Sequence, residues 1–281
     1  MNITIVTCFN RRPAVSRILI NTWLRLKHDL PEHTINLVAG VTDDEDADLC
    51  DQYGLRYIRH ENTPGAKWNA AFTLAMSNNP DAYLIMGDDD SISTDGFRLL
   101  THAMQRGENY AGFKSNYFYD LRAHKAMHHV QPFVANKLIG CGRMLSRFAV
   151  HTITRRAIIS WRKQYIGYQV GDEININLRS AEYLQGYQYA KIKSHVDGVI
   201  FTPHLKQGLD HDSEMRMVMS GITPVNCDHG KIHVTDFKSK VTSNIWPYPT
   251  LQPKCKECSP NDATWYLTEG EREYISTLLF S

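Results

Sequence analysis

Three consecutive carboxylates, Asp88, Asp89 and Asp90, follow the short apolar run at residues 83–86. A run of this kind is typical of a buried strand, so we expect the carboxylates at its carboxyl end, where open α/β sheets bind ligands. Adjacent acids repel one another, and a cation or hydroxyl groups would relieve that repulsion. Strand alternation would direct Asp88 and Asp90 to one side, where they could share a divalent metal, and Asp89 to the other. A solvated acidic turn is the alternative interpretation.

A second pair of acids, Asp172 and Glu173, follows Gly171 and precedes apolar residues at helical spacing. Either carboxylate could act as a general base towards a hydroxyl group, because a helix N-terminus keeps a carboxylate ionised. The helix dipole also favours acids at this position for structural reasons. A capping pair is therefore the alternative interpretation.

The six cysteines are expected to be thiols or metal ligands, because the chain begins without a secretion signal. Cys255 and Cys258 form a CxxC motif, and Cys227 and His229 could complete a tetrahedral set for a structural Zn²⁺. The spacing of these residues matches no standard zinc finger. Four unrelated side chains are therefore the alternative.

Strands and helices alternate through the first part of the chain. Strands are predicted at 2–8, 35–41, 55–58 and 83–86, separated by helices near 13–28, 43–53 and 66–78. This order indicates right-handed βαβ units and a parallel sheet. Beyond residue 91 the pattern predicts a strand at 110–119, helices at 152–163 and 172–185, and a strand at 187–193. Frequent prolines from residue 221 onward predict an irregular extension.

The composition is that of an ordinary globular protein, with 281 residues, 42% of them hydrophobic, and a formal net charge of +1. No run approaches the roughly 18 apolar residues of a membrane span, so we expect a soluble, cytoplasmic protein. Charge is unevenly distributed, because residues 121–171 contain nine Lys or Arg and no Asp or Glu. This basic block predicts a surface for a polyanion. A solvated face that pairs with the acidic stretch at 43–51 is the alternative.

The chain resembles the nucleotide-sugar-dependent glycosyltransferases of the GT-A fold, particularly family 2, over residues 1 to 205. The segments that carry the resemblance are Cys8-Phe9-Asn10-Arg11, Gly65-Ala66-Lys67-Trp68-Asn69, Asp88-Asp89-Asp90 and the stretch from Gly171-Asp172-Glu173 to Arg179. The sequence departs from the family after the second strand, where Gly40-Val41-Thr42-Asp43-Asp44 replaces the usual Asp-Asp-Gly-Ser. The acids at 172 and 173 also stand in reversed order.

The resemblance implies a mixed, mostly parallel sheet flanked by helices, in a transferase domain at 1–220 with a donor half at 1–95, an acceptor half at 96–220 and an extension at 221–281. It implies inverting transfer of a sugar from a nucleoside diphosphate, favouring UDP, with Mn²⁺ or Mg²⁺. The implied base is Glu173 or Asp172. The implied metal ligands are Asp88, Asp90 and His204, with His195 and His211 as rivals to the histidine. The implied donor-binding residues are Thr7, Phe9, Asn10, Arg11, Asp43, Lys67, Asn69, Asp88 and Asp89.

The basic block indicates a polyanionic acceptor, and we favour a hydroxymethylated pyrimidine in DNA, as in phage enzymes that glycosylate such bases. The predicted acceptor-binding residues are Arg143, Arg147, Arg155, Arg156 and Trp161. A cell-surface or capsular polysaccharide is the alternative acceptor. A module that binds sugar nucleotides without turnover is the alternative to an enzyme.

Two other enzyme classes fit the sequence less well. A haloacid-dehalogenase-like phosphatase carries its Asp-x-Asp after the first strand, whereas this triplet follows the fourth predicted strand. A nucleotidylyltransferase needs a glycine-rich phosphate loop after the first strand, and residues 8–13 contain no glycine.

Overall fold

The computed structural model describes residues 1–60, 63–130, 138–155, 158–160, 193–195, 200–201, 213–214, 216–218, 220–239 and 255–278. Strands and helices alternate up to the acidic triplet, as predicted. These elements are β1 (Asn2–Cys8), α1 (Pro13–Asp29), β2 (Thr34–Val41), α2 (Asp44–Gln52), β3 (Arg56–Arg59), α3 (Pro64–Met76) and β4 (Ala82–Ile85).

The later part of the chain has shorter strands and a different order of elements. After the triplet come β5 (Asp90–Ile92), α4 (Thr94–Gln105), β6 (Tyr110–Gly112), β7 (Ser115–Asp120), β8 (Lys125–Val130), β9 (Arg143–Ser146) and α5 (Arg147–Arg155). These are followed by β10 (Ile158–Ser160), β11 (Lys193–His195), β12 (Val225–Asn226), β13 (Val234–Lys238), β14 (Lys256–Cys258), α6 (Pro260–Thr264) and α7 (Glu269–Thr277).

The larger sheet has seven strands in the order β12-β6-β9-β4-β1-β2-β3. Strands β4, β1, β2 and β3 are parallel, whereas β9 is antiparallel to both of its neighbours. The pairs Cys8↔Gly40 and Val6↔Ile85 align the carboxyl ends of β1, β2 and β4 at one edge. The loops that follow these strands therefore meet, and they include the acidic triplet.

The smaller sheet has five strands in the order β14-β8-β7-β13-β5. Strands β13 and β7 are parallel, and the other neighbours are antiparallel. Strands β10 and β11 form a separate antiparallel pair. The predicted α/β class, with a mixed and mostly parallel main sheet flanked by helices, is confirmed.

Apolar side chains cover both faces of the larger sheet. On one face Ile5 packs with Leu19 of α1 and Leu100 of α4. On the other face Val6 packs with Phe72 of α3 and with residues of α5. Alternating residues of β1 thus enter opposite cores, which fixes the register of the central strands and of the loops after them.

Two predicted elements differ from the structure. The strand predicted at 110–119 is two strands, because β6 joins the larger sheet, β7 joins the smaller one, and Phe113 is buried between them. The helix predicted at 152–163 begins at Arg147 and ends at Arg155, and Ile158–Ser160 forms β10. The elements predicted between residues 172 and 192 lie outside the described residues.

The extension was predicted to be irregular, but its described part forms strands and helices and contributes to both sheets. Strand β12 pairs with β6, and β13 pairs with β5 and β7. Helix α7 packs against α1 through an ion pair in which Arg25 Nε lies 3.0 Å from Glu271 Oε1. The domain boundary at residue 220 stays a prediction. Within the part of the chain that the structure describes, no helix combines the length and apolar character needed to cross a membrane.

Candidate functional site

The acidic triplet spans the tight turn after β4, and its last residue, Asp90, begins β5. Strand β4 ends at Ile85, and Asp88 and Asp89 occupy the turn, so strand alternation does not govern where their side chains point. The backbone N–H of Gly87 donates to Asp90 Oδ2 at 2.6 Å. A Cβ at Gly87 would lie 2.9 Å from Asp90 Oδ2 and 3.0 Å from Asp89 Oδ1. A side chain at this position would therefore displace the carboxylates that fold back over the turn.

Arg12, just before α1, neutralises part of the triplet. Its guanidinium forms an ion pair with Asp88, and its Nη1 lies 3.1 Å from Asp89 Oδ2. The hydroxyl of Ser16 donates to Asp88 Oδ2 at 3.1 Å. The Arg12 side chain is 6% exposed, so these charge-assisted contacts are made away from bulk water. Asp88 is thus held by α1 and its preceding loop.

A fourth carboxylate, Asp236, reaches the site from β13. The antiparallel pairing of β13 with β5 places Asp236 opposite Asp90. Ligand oxygens of Asp89, Asp90 and Asp236 all lie within 4.8 Å of one another. Lys238 Nζ lies 2.5 Å from Asp236 Oδ2, whereas Asp236 Oδ1 is buried without a hydrogen-bond partner among the described residues. We call Asp89, Asp90 and Asp236 the acidic cluster.

Burial and mutual repulsion shift the protonation of the acidic cluster. The pKa of Asp90 is raised well above its usual value by burial, by Asp236 and by Asp89. Burial raises the pKa of Asp236 to about 6, although Lys238 opposes the rise. Burial also acts on Asp89, but Arg12 and Lys238 outweigh it and lower the pKa of that carboxyl. Two of the three carboxyls are therefore costly to ionise in the absence of another cation.

The charges of the site suit a divalent cation. When ionised, Asp88, Asp89, Asp90 and Asp236 carry four negative charges, against the two positive charges of Arg12 and Lys238. The excess of negative charge matches the charge of Mg²⁺ or Mn²⁺. The donor atoms are carboxylate oxygens, which both ions prefer. The orphaned Asp236 oxygen and the donor chemistry therefore fit the metal that the sequence resemblance implies.

Several predicted donor-binding residues meet beside the triplet, after β1 and β2. Arg11 adopts a left-handed φ of 57°, and its Nε lies 3.2 Å from Asp43 Oδ2. The buried Lys67 of α3 donates from Nζ to the carbonyl oxygen of Phe9 at 2.7 Å and to Thr42 Oγ1 at 3.3 Å. These contacts tie the loop that contains Asn10 to α3 and to the segment after β2.

The two remaining donor-binding candidates, Thr7 and Asn69, differ in their surroundings. Thr7 is buried in β1, and its hydroxyl lacks a hydrogen-bond partner among the described residues. Asn69 donates to the carbonyl oxygen of Phe201 at 2.7 Å and accepts from the backbone N–H groups of Ile200 and Phe201 at 3.0 Å each. Asn69 therefore fixes the segment that leads towards His204, which lies outside the described residues.

Two of the predicted acceptor-binding arginines already have partners within the protein, one in the interior and one at the surface. Arg143 is 1% exposed and donates to the Gly140 carbonyl at 2.9 Å and to Ser213 Oγ at 3.0 Å. Arg147 contacts Asp81 Oδ1 at 2.8 Å and neighbouring backbone carbonyls. Arg155 ends α5. Its side chain, Arg156 and Trp161, and the predicted base residues Asp172 and Glu173, lie outside the described residues.

The predicted zinc ligands are not assembled into one site. All four are described, and the three cysteines lie in different parts of the fold while His229 is exposed. Cys227 belongs to the core under the larger sheet, whereas Cys258 and Cys255 pack beside two other apolar clusters. Among the described residues, the acidic cluster is the sole group of three or more candidate metal ligands. The structural Zn²⁺ prediction therefore finds no support.

Three residues of the site were not singled out from the sequence: Arg12, Asp236 and Lys238. Residues 234–238 contain Val, Thr and Phe, which are enriched in strands, and Asp236 and Lys238 share one face of this strand. These residues could therefore have been predicted to form a strand. The pairing of this strand with β5 could not be predicted, because it joins distant parts of the chain.

Comparisons with known proteins give structural similarities alone. No family model matches the sequence, and no curated protein matches it. Staphylococcus aureus TarS is 12% identical, with a TM-score of 0.49, over 85% of this chain and 37% of that chain. TarS 1–349 in complex with UDP-GlcNAc is 12% identical, with a TM-score of 0.47, over 100% of this chain and 72% of that chain. Glucosyl-3-phosphoglycerate synthase from Mycobacterium tuberculosis, in complex with Mn²⁺ and UDP-glucose, is 13% identical, with a TM-score of 0.37, over 54% and 58%. The chain thus spans little more than a third of the length of the first of these structures.

Proposed function

We propose that the chain is a metal-dependent glycosyltransferase of the GT-A type, which moves a sugar from a nucleoside diphosphate, favouring UDP, to a hydroxyl acceptor with inversion. The observation that supports this most is the acidic cluster at the carboxyl end of β4. It carries excess negative charge and borders the polar loop after β1. A divalent cation and a diphosphate have complementary charges to these two features.

The proposed metal ligands are Asp90, Asp89 and Asp236. When bound, the metal supplies Lewis-acid neutralisation of the leaving diphosphate. The sequence resemblance implies that Asp88 binds both the metal and the donor, and we keep both roles as proposals. Its carboxylate is held in place by Arg12 and Ser16. His204 stays a candidate further ligand, since the segment before it is tied to α3 by Asn69.

The rest of the chemistry is assigned to residues that the sequence singled out. Glu173 or Asp172 is the proposed base. It takes the proton of the acceptor hydroxyl while the oxygen of that hydroxyl attacks the anomeric carbon of the donor sugar. Asn10, Arg11, Asp43 and Lys67 are proposed to bind the nucleotide. Their contacts around one loop support a shared role in donor binding.

The acceptor is proposed in two alternative forms. A hydroxymethylated pyrimidine in DNA was favoured from the basic block, and this proposal now rests on Arg155, Arg156 and Trp161. Burial removes Arg143 from a phosphate-binding surface, and Arg147, which is 38% exposed, is already paired with Asp81. These two observations favour the cell-surface or capsular polysaccharide as acceptor.

A donor and acceptor screen by mass spectrometry tests the proposed function. UDP-sugars are incubated with Mn²⁺ and with either hydroxymethylated DNA or glycans, and Asp90→Asn is the matched control. We expect sugar transfer by the wild-type chain, and loss of both transfer and metal dependence in the variant, with its thermal unfolding unchanged or at a higher temperature. Binding of UDP-sugars without transfer or hydrolysis would instead indicate a non-catalytic sugar-nucleotide module. Transfer by Asp90→Asn at the normal rate would contradict the metal assignment.

A further inference from the structure

The face of the smaller sheet that carries Asp90 and Asp236 continues beyond the acidic cluster. Cross-strand partners share a face of a sheet. Asp236 is the partner of Asp90 on β5 and of Phe118 on β7, and Phe118 is in turn the partner of Met127 on β8. An aromatic side chain therefore stands beside the cluster, at the roughly 5 Å spacing of neighbouring strands.

Phe118 is partly exposed and is flanked by polar groups. Lys238 Nζ lies over one face of the Phe118 ring, 5.2 Å from its centre. The ring of His129 lies 5.6 Å from it at an angle of 46°, and His129 Nδ1 is 3.1 Å from Asn116 Oδ1. The neighbouring Tyr119 points to the opposite face, where it is buried against the C-terminal helices. Phe118, unlike Tyr119, therefore lies on the face of the smaller sheet that carries Asp90 and Asp236.

We propose that Phe118, on the ring face that Lys238 does not cover, is a stacking platform for a neutral sugar ring of the acceptor, with His129 at its edge. This proposal rests on the proposed function and specifies its acceptor class. A sugar ring has apolar C–H faces and polar edges, so it suits an aromatic face bordered by hydrogen-bonding groups. A ring stacked on Phe118 would present its hydroxyl edge to the acidic cluster, where the donor sugar is activated.

The charge of this face favours a neutral sugar over a nucleic acid. The charged residues that share the face of Phe118 in the described strands are Asp90, Asp120, Asp236, Glu257, Lys125 and Lys238. Acids outnumber bases, and Lys238 is already paired with Asp236. A phosphate backbone on this surface would meet like charge, whereas an uncharged sugar would not. The interaction surface for a polyanion therefore does not coincide with the platform.

Saturation-transfer NMR with neutral sugars tests the platform. The probes are methyl glucopyranoside, methyl galactopyranoside and N-acetylglucosamine, with oligothymidylate as the polyanionic comparison, each in the presence of UDP and Mn²⁺. We expect magnetic saturation to pass from the protein to the ring C–H protons of at least one sugar. Phe118→Ala should weaken that binding about tenfold, which corresponds to ~1.4 kcal/mol. Phe118→Trp should retain it.

The matched control is Phe148→Ala, the same substitution at a phenylalanine that is 61% exposed on α5. Its sugar binding should equal that of the wild type. If Phe118→Ala does not fold, Phe118→Leu keeps apolar volume without an aromatic face and should show the same loss. The proposal is overturned if no probe sugar binds, if Phe118→Ala and Phe118→Leu bind like the wild type, or if oligothymidylate alone binds and depends on Phe118. UDP binding, measured on the same samples by calorimetry, separately tests the proposed function.

Discussion

Replacing Asp236 with Asn removes a buried charge while keeping the shape of the side chain. The pKa of Asp236 rises from 3.8 to about 6 on folding, chiefly because of burial. Between these two values the unfolded carboxyl has lost its proton and the folded one has kept it. The native state then binds more protons, so the free energy of unfolding falls as the pH rises through this window. The difference between these two pKa values corresponds to a loss of roughly 3 kcal/mol in the free energy of unfolding at pH values above this window.

Without metal at pH 8, Asp236→Asn should therefore raise the free energy of unfolding by up to about 3 kcal/mol. The fall in stability between about pH 4 and pH 6 should become shallower. Mn²⁺ affinity should change in the opposite direction, because the variant lacks one carboxylate ligand. We expect its Kd to rise by about 100-fold or more. The same substitution thus stabilises the metal-free chain and weakens the metal complex.

Urea denaturation from pH 4 to pH 8, with EDTA or with Mn²⁺, measures both effects. Asp46→Asn is the matched control, because burial also raises the pKa of Asp46 to about 6 while the residue lies outside the acidic cluster. This control should gain metal-free stability yet keep the wild-type response to Mn²⁺. Unchanged Mn²⁺ affinity in Asp236→Asn would refute the assignment of Asp236 as a ligand. An unchanged slope in the metal-free variant would refute the electrostatic reasoning.

Two further predictions concern Arg12 and the proposed base. Arg12→Gln leaves Asp88 and Asp89 buried without their cation, so the free energy of unfolding at neutral pH should fall by about 3–5 kcal/mol. Urea denaturation measures this free energy. If the variant is as stable as the wild type, the ion pairs of Arg12 with Asp88 and Asp89 are not needed for stability. Glu173→Gln and Asp172→Asn should differ in single-turnover transfer, with one of them slowed about 10²-fold at unchanged UDP affinity. Small and equal effects would leave both residues as helix caps.

The order of the first elements could be predicted because local signals agree with the fold. Pro13 begins α1, and the Asp43 side chain caps α2 by accepting from the backbone N–H of Asp46 at 3.0 Å. The apolar run before the triplet is a fully buried strand. Alternating strands and helices then lead to a parallel sheet with few competing topologies. The place of the acidic triplet at a strand end follows from these signals.

The orientation of the triplet could not be predicted, because it depends on a turn rather than on strand alternation. Gly87 allows the chain to fold back, and its N–H is satisfied by Asp90. The role of Arg12 could not be predicted either, because it also depends on the local backbone conformation. The left-handed backbone of Arg11 directs that side chain towards Asp43, and the next residue reaches Asp88 instead. Adjacent arginines in a loop thus have different roles that their sequence does not distinguish.

The pairing of β5 with β13 connects the acidic triplet to the second half of the chain. Strand β5 begins at Asp90 itself, so any shift in its register with β13 would move Asp236 relative to the triplet. The same strand β13 pairs with β7 and aligns Phe118 with Asp236. A register shift of one residue in β13 would turn Asp236 to the opposite face, while Phe118 on β7 would keep its face through its pairing with β8. The placement of the proposed metal ligand relative to the proposed acceptor platform therefore depends on β13, and a change that displaces this strand should impair metal binding and separate the metal from the platform.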